Sequence, residues 1–137
     1  RSVHEKLLGM IAAGEKPQLF SDEIRQPCSA GSVAEVTVEL AERSDLHGIF
    51  HWAGSDAVSR LDLGRAVLRR FGLSEDCLEG VEAASLDASS KRHRNLTLEL
   101  EPLAGKLKNK PMSLSEQMNE LKPPAHLYRW IRENGKL

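Results

Sequence analysis

The chain has 137 residues, of which 40% are hydrophobic and 28% charged, enough apolar material for one packed domain with a solvated surface. Its 19 basic and 20 acidic side chains are interspersed and leave a net charge of -1, so no large field exists to attract nucleic acid or an anionic membrane. No apolar run approaches the roughly 20 residues that span a bilayer, and Cys28 and Cys77 stand far apart without metal-ligand or disulfide-framework spacing, so a soluble, cytoplasmic chain without a metal site is expected. The opening at Arg1, without an initiator methionine, leads us to expect a segment of a longer protein.

In chain order, Ser2 followed by Glu5 is a capping-box pattern, and Val3, Leu7, Leu8 and Ile11 then share a helical face before Gly14. Gln18-Leu19-Phe20 reads as a short strand. The polar stretch from Ser21 to Pro27 reads as a surface connection whose proline biases Gln26 toward extended geometry. Ser32 with Glu35 repeats the capping pattern at the head of a second helix carrying Val33, Val36, Leu40 and Ala41, which ends near Ser44-Asp45.

Ile49-Phe50-His51-Trp52, apolar and aromatic between two glycines, predicts a strand. Ser59 with Asp62 opens a third helix, with Leu63, Val67 and Phe71 at four-residue spacing, Arg60, Arg65, Arg69 and Arg70 at polar positions, and Gly72 where a C-terminal cap belongs. Val81 to Leu86 predicts a further strand and Asp87 to Asn95 a polar, basic loop. A short helix is expected around Leu103 to Leu107. Another, capped by Ser113 with Glu116 and carrying Leu114, Met118 and Leu121, is stopped by Pro123-Pro124. The alternation of short elements gives an α/β class, with a segment 1–122 and a separate tail 123–137.

Within that tail Leu127, Trp130 and Ile131 form one apolar stripe. Two readings stand for it: packing back onto the domain, or inserting into a protein partner as a docking helix. Arg25 and the pair Arg92 and Arg94 are the candidates for contacting a diphosphate, since a guanidinium presents a planar fork of donors to phosphate oxygens. Trp52 is a candidate for stacking on a sugar or base, although an aromatic closing a strand is more often core. No G-x-G-x-x-G fingerprint occurs, and the single tyrosine, Tyr128, has Arg132 at its fourth following position where a Tyr-x-x-x-Lys pair needs lysine.

Three motifs carry a family resemblance over Glu15 to about Leu121. Arg25-Gln26-Pro27 leading into Ser32-Val33-Ala34 is similar to a Pro-Thr, then Asp-Leu-Ala pattern, with Cys28 in place of threonine and Ser32 in place of aspartate. His47-Gly48-Ile49-Phe50-His51-Trp52-Ala53-Gly54 is similar to a Gly-x-Tyr/Phe-His-x-x-Gly strand. Arg92-His93-Arg94-Asn95-Leu96-Thr97-Leu98 is similar to an Arg-Pro-x-Asn-x-x-Leu segment, with His93 in place of proline. In these the chain resembles the C-terminal region of extended short-chain dehydrogenase/reductases of the dTDP-4-dehydrorhamnose reductase type, and of their relative, the beta regulatory subunit of methionine adenosyltransferase.

The resemblance implies the C-terminal portion of an extended Rossmann-type reductase, with the Rossmann half absent. That absent half would bind NAD(P) and supply the catalytic Tyr-x-x-x-Lys, while this segment binds no cofactor, is not catalytic alone, and closes over a sugar nucleotide. The regulatory relatives imply the alternative, a non-catalytic module that binds a protein partner through its tail.

Overall fold

The computed structural model describes residues 2–83 and 93–136. The first helix, α1 (Val3–Ala12), begins where its cap is chemically complete: the Ser2 side chain accepts from the Glu5 N–H while the Glu5 carboxylate accepts from the Ser2 N–H at 3.1 Å. This satisfies two donors that a helix start otherwise leaves open. The helix ends in a two-bond C-terminal motif, Gly14 N–H to the Ile11 carbonyl and Glu15 N–H to the Met10 carbonyl. The same motif closes α3 (Arg60–Arg70), where Gly72 N–H bonds the Arg69 carbonyl and Leu73 N–H the Leu68 carbonyl. Both need a residue in the left-handed region, and Gly14 at φ +80° and Gly72 at φ +62° supply it.

Among the described residues four short strands form two pairs. β1 (Gln18–Phe20) runs parallel to β4 (Glu79–Val81), and β2 (Ile24–Arg25) is antiparallel to β3 (Val58–Ser59). The free edge of β2 is taken by the segment around Asn95: Ile24 N–H donates to the Arg94 carbonyl at 2.7 Å and Leu96 N–H to the Ile24 carbonyl at 3.2 Å. The stretch expected to be a plain connection therefore contains a strand with partners on both sides. β4 starts two residues before the predicted Val81, in the register that sets Glu79 opposite Gln18. Residues 84–86 of the predicted strand and 87–92 of the predicted loop lie outside the described residues.

The main core gathers on α3. Leu7, Leu8, Val67, Leu68, Phe71, Leu73 and Ile131 are all buried, with Phe71, Leu8, Leu68 and Ile131 fully so. Leu19 of β1 packs against α3 at Gly64, where an added methyl group would meet the leucine Cδ1 and force that side chain to shift. The helix Leu114–Glu120 adds Met118, and Leu121 follows it. A second core forms where α2 (Ala30–Glu42) meets α4 (Leu103–Lys106): Val36, Leu103 and Leu107 are buried, with Leu40, Leu46, Phe50 and Trp52 against them.

Two expectations are corrected here. Ile49 to Trp52 is not a strand; Ile49 is 91% exposed, and Phe50 and Trp52 turn toward α2 instead of lying in a ladder. The apolar character of the stretch reflects a docked loop. The cap of α2 is Ser29, not Ser32: the Ser29 hydroxyl accepts from the Ser32 N–H at 3.1 Å, which puts Ser32 inside the helix. There Ser32 is buried, and its hydroxyl accepts the indole N–H of Trp52 at 3.1 Å, joining helix to loop.

α5 (Leu114–Glu120) carries the predicted capping box, with Ser113 N–H donating to the Glu116 carboxylate at 2.7 Å. After the two prolines a 3-10 turn (Ala125–Leu127) leads into α6 (Tyr128–Asn134). This tail is continuous with the domain core, because Ile131 fills space among Leu7, Leu8 and Phe71 and Lys136 N–H donates to the Phe71 carbonyl at 2.7 Å. No helix among the described residues is long and apolar enough to cross a membrane.

Ile131→Ala is expected to lower the unfolding free energy by about 2–5 kcal/mol, as for other fully buried aliphatic truncations. Urea denaturation checks it, and an unchanged midpoint would show the tail to be independent of the core. A pH effect follows from the clamp between α2 and the 108–109 turn, in which Glu39 accepts from Lys108 N–H at 2.6 Å, Asn109 N–H at 3.0 Å and Asn109 Nδ2 at 2.8 Å. These bonds, the Asn109 backbone first, hold Glu39 below its ordinary value, and the Arg43 guanidinium holds Asp45 down to about 2. A carboxyl depressed in the fold stabilises above its unfolded pKa and ceases to as pH falls through the folded one. The urea midpoint should therefore fall on acidification from about pH 5 toward pH 2, and less steeply in Glu39→Gln.

Candidate functional site

β2 and the bend before it, Asp22-Glu23-Ile24-Arg25, hold a cluster of paired charges with Arg60 and Arg94. Glu23 is 3% exposed, and one of its carboxylate oxygens accepts from Arg60 Nε at 2.7 Å and Arg25 Nη2 at 3.1 Å. A carboxylate at that depth requires such partners, because desolvation penalises it strongly when unpaired. The backbone makes the pairing possible: Arg60 N–H donates to the Glu23 carbonyl at 3.1 Å, so the first residue of α3 sits against the strand that carries Glu23.

Arg25, expected to contact a diphosphate, is occupied within the fold. Its Nη1 donates to the Ile24 carbonyl at 2.7 Å and the Arg94 carbonyl at 2.9 Å, tying β2 to the segment beside it. Arg94 lies next to Arg25. Its side chain is 56% exposed and forms an ion pair with Asp22 at 3.4 Å, while the other Asp22 oxygen accepts from Ala83 N–H at 2.8 Å. Arg92 lies outside the described residues.

Trp52 is held in the second core by its bond to Ser32, and its connection to the charged strand runs through Gln26. Gln26 donates through Nε2 to the Gly54 carbonyl at 3.3 Å and accepts through Oε1 from Leu98 N–H. Gln117, buried in α5, fixes the same junction by donating to the Pro27 carbonyl at 3.0 Å and the Met112 carbonyl at 3.1 Å. The three family-like motifs therefore meet in space, at residues 25–27, 52–54 and 94–98.

In the tail, Leu127 and Trp130 are half-buried against the main core and Ile131 is fully buried, so the stripe faces its own domain. Of the two readings left open for it, these contacts belong to packing back; Ile131 in this arrangement is not available to a partner.

Glu23 and Arg60 are the site residues that sequence reasoning missed. Arg60 reads only as a polar helix position and Glu23 as part of a polar connection, since their pairing depends on the register of β2 against β3. A second charged feature is an open depression of about 550 Å³ lined by Asp62, Arg65, Arg69, Glu75, Asp76 and Leu78. Its two arginines already face Glu75, at 3.7 and 3.3 Å, and three acids outnumber them, so it is a poor anion site.

After the parallel strands β1 and β4 come Ser21-Asp22 and Glu82-Ala83, with no glycine to let backbone approach a pyrophosphate.

Comparison with known proteins agrees with this architecture. The "Probable low-salt glycan biosynthesis reductase Agl14" of Haloferax volcanii is 33% identical over 97 residues, which cover 71% of this chain and 32% of that protein. A dTDP-4-dehydrorhamnose reductase of Bacillus anthracis, solved in complex with NADP, superposes with a TM-score of 0.72 at 12% identity, over 88% of this chain and 42% of that one. The Clostridium acetobutylicum dTDP-4-dehydrorhamnose reductase superposes equally well, at 0.72 and 14% identity over the same shares, and that of Yersinia enterocolitica at 0.66 and 20% identity over 84% and 40%. The chain thus spans about a third of the curated relative it matches and has the fold of the C-terminal portion of the solved reductases. Residues 2–123 match the RmlD substrate binding domain as a family, and the chain belongs to it.

Proposed function

We propose that this chain is the sugar-nucleotide-binding segment of a dTDP-4-dehydrorhamnose reductase-like enzyme, positioning a ketosugar nucleotide for reduction by NAD(P)H held in an N-terminal half. The observation that carries the reading is the family match across residues 2–123, which takes in all three motifs and the Glu23 cluster. The cofactor, when bound by that other half, supplies the hydride. The part left to this chain is to hold and orient the substrate, chiefly the two charges of its diphosphate, for which guanidinium forks are suited. The exposure of Arg94 beside the β2 edge supports that role for it, and Arg92 two residues before it is a candidate from sequence. The alternative regulatory reading relies on a tail stripe that the structure seats on its own core, and no observation favours it.

Calorimetric titration tests the proposal. A chain shown by urea to unfold cooperatively should bind dTDP-glucose saturably, and Arg94→Ala should weaken binding. A charge-assisted hydrogen bond contributes about 1.5–3 kcal/mol, which corresponds to roughly 10- to 150-fold in Kd. Absence of saturable binding to dTDP-glucose or dTDP by the folded chain would overturn the reading.

A further inference from the structure

The charges around Glu23 do not cancel. One carboxylate, 3% exposed, faces two guanidiniums, Arg25 and Arg60, while the neighbouring Asp22 and Arg94 neutralise each other. The trio keeps one positive charge without a counter-charge among the described residues.

That surplus sits on one residue in particular. Arg25 is 23% exposed and its terminal nitrogens bond two backbone carbonyls and Glu23. Arg60 is 46% exposed and uses only Nε on Glu23, so neither of its Nη groups has a partner among the described residues. Its stem is fixed from two directions, by the main-chain bond to Glu23 and by the 2.7 Å contact of Nε with the same residue's carboxylate. A guanidinium gripped at Nε and open at both Nη groups is a donor fork whose orientation has already been set, which reduces the entropy lost when it closes on an anion.

We propose that Arg60 is a diphosphate-binding residue of this domain and that Glu23 is its positioning residue. The inference rests on the sugar-nucleotide reading and deepens it by naming the arginine that meets the phosphates, in place of Arg25. Glu23 does not touch the ligand; it holds the Arg60 fork, and Arg25 shields it from solvent on the strand side.

The experiment is a titration of the chain with inorganic pyrophosphate and, separately, with dTDP-glucose, thymidine serving as the uncharged control. For Arg60→Ala the expected result is a loss of affinity for both phosphate ligands of about 10-fold or more, in a chain that still unfolds cooperatively in urea but at a lower midpoint, because buried Glu23 keeps Arg25 and loses its shorter partner. Arg60→Lys should recover part of it, as a point charge without the fork. Glu23→Gln should weaken pyrophosphate binding less than Arg60→Ala does, a graded effect that loss of fold would not give. If Arg60→Ala binds pyrophosphate as the parent does, the Arg60 assignment is wrong, and saturable binding of dTDP-glucose in that same variant would leave the sugar-nucleotide reading standing. If the folded parent binds neither phosphate ligand, both fall together.

Discussion

The apolar inner face of α3 is the surface on which the other elements are assembled. Strands of two or three residues in two-stranded pairs have little stability of their own, and each pair here leans on that helix: β1 through Leu19 at Gly64, β3 by running straight into the helix at Ser59. α1 and the tail reach it from the other side through Leu7, Leu8 and Ile131. The position of Arg60 against Glu23 follows, since the strand pairing that brings them together ends where α3 begins. The charged cluster is a by-product of the way the helix is mounted.

Much of this was legible from sequence wherever the controlling interaction is local. The caps at Ser2, Ser59 and Ser113 and the turn glycines at 14 and 72 were readable because each is decided within a few residues. β1 was readable from its composition. The displaced cap of α2 is an instructive failure, because Ser29 and Ser32 are both plausible local acceptors and the choice between them is made by Trp52, twenty residues on, which requires Ser32 inside the helix. The Ile49 to Trp52 stretch failed for a related reason: its aromatics satisfy a packing demand of α2, and the local pattern of such a stretch is the same as that of a strand.

The candidate site was half legible. Arg25 and Arg94 were both singled out as candidates for a diphosphate, but their surroundings depend on a hydrogen bond spanning 69 residues, through which Arg25 joins the strand to the neighbouring segment while the Arg94 side chain is more than half exposed. The residues that make the family resemblance recognisable behave similarly. Gln26, Pro27, Gly54 and Leu98 meet at one junction and, together with Gln117, act as structural joints. A motif visible in sequence is here first a statement about how three segments are sewn together and only second about what they bind.

Asp22 adds a consequence of another kind. Its carboxylate accepts from Ala83 N–H on one oxygen and pairs with the Arg94 guanidinium at 3.4 Å through the other, and Ile24 N–H, two positions on, donates to the Arg94 carbonyl, so Ala83 and Arg94 are both anchored within the three residues from Asp22 to Ile24. Anchoring of that sort lets a single side chain hold two segments distant in sequence against the same bend, so the placement of Arg94 depends on Asp22 as much as on its own backbone.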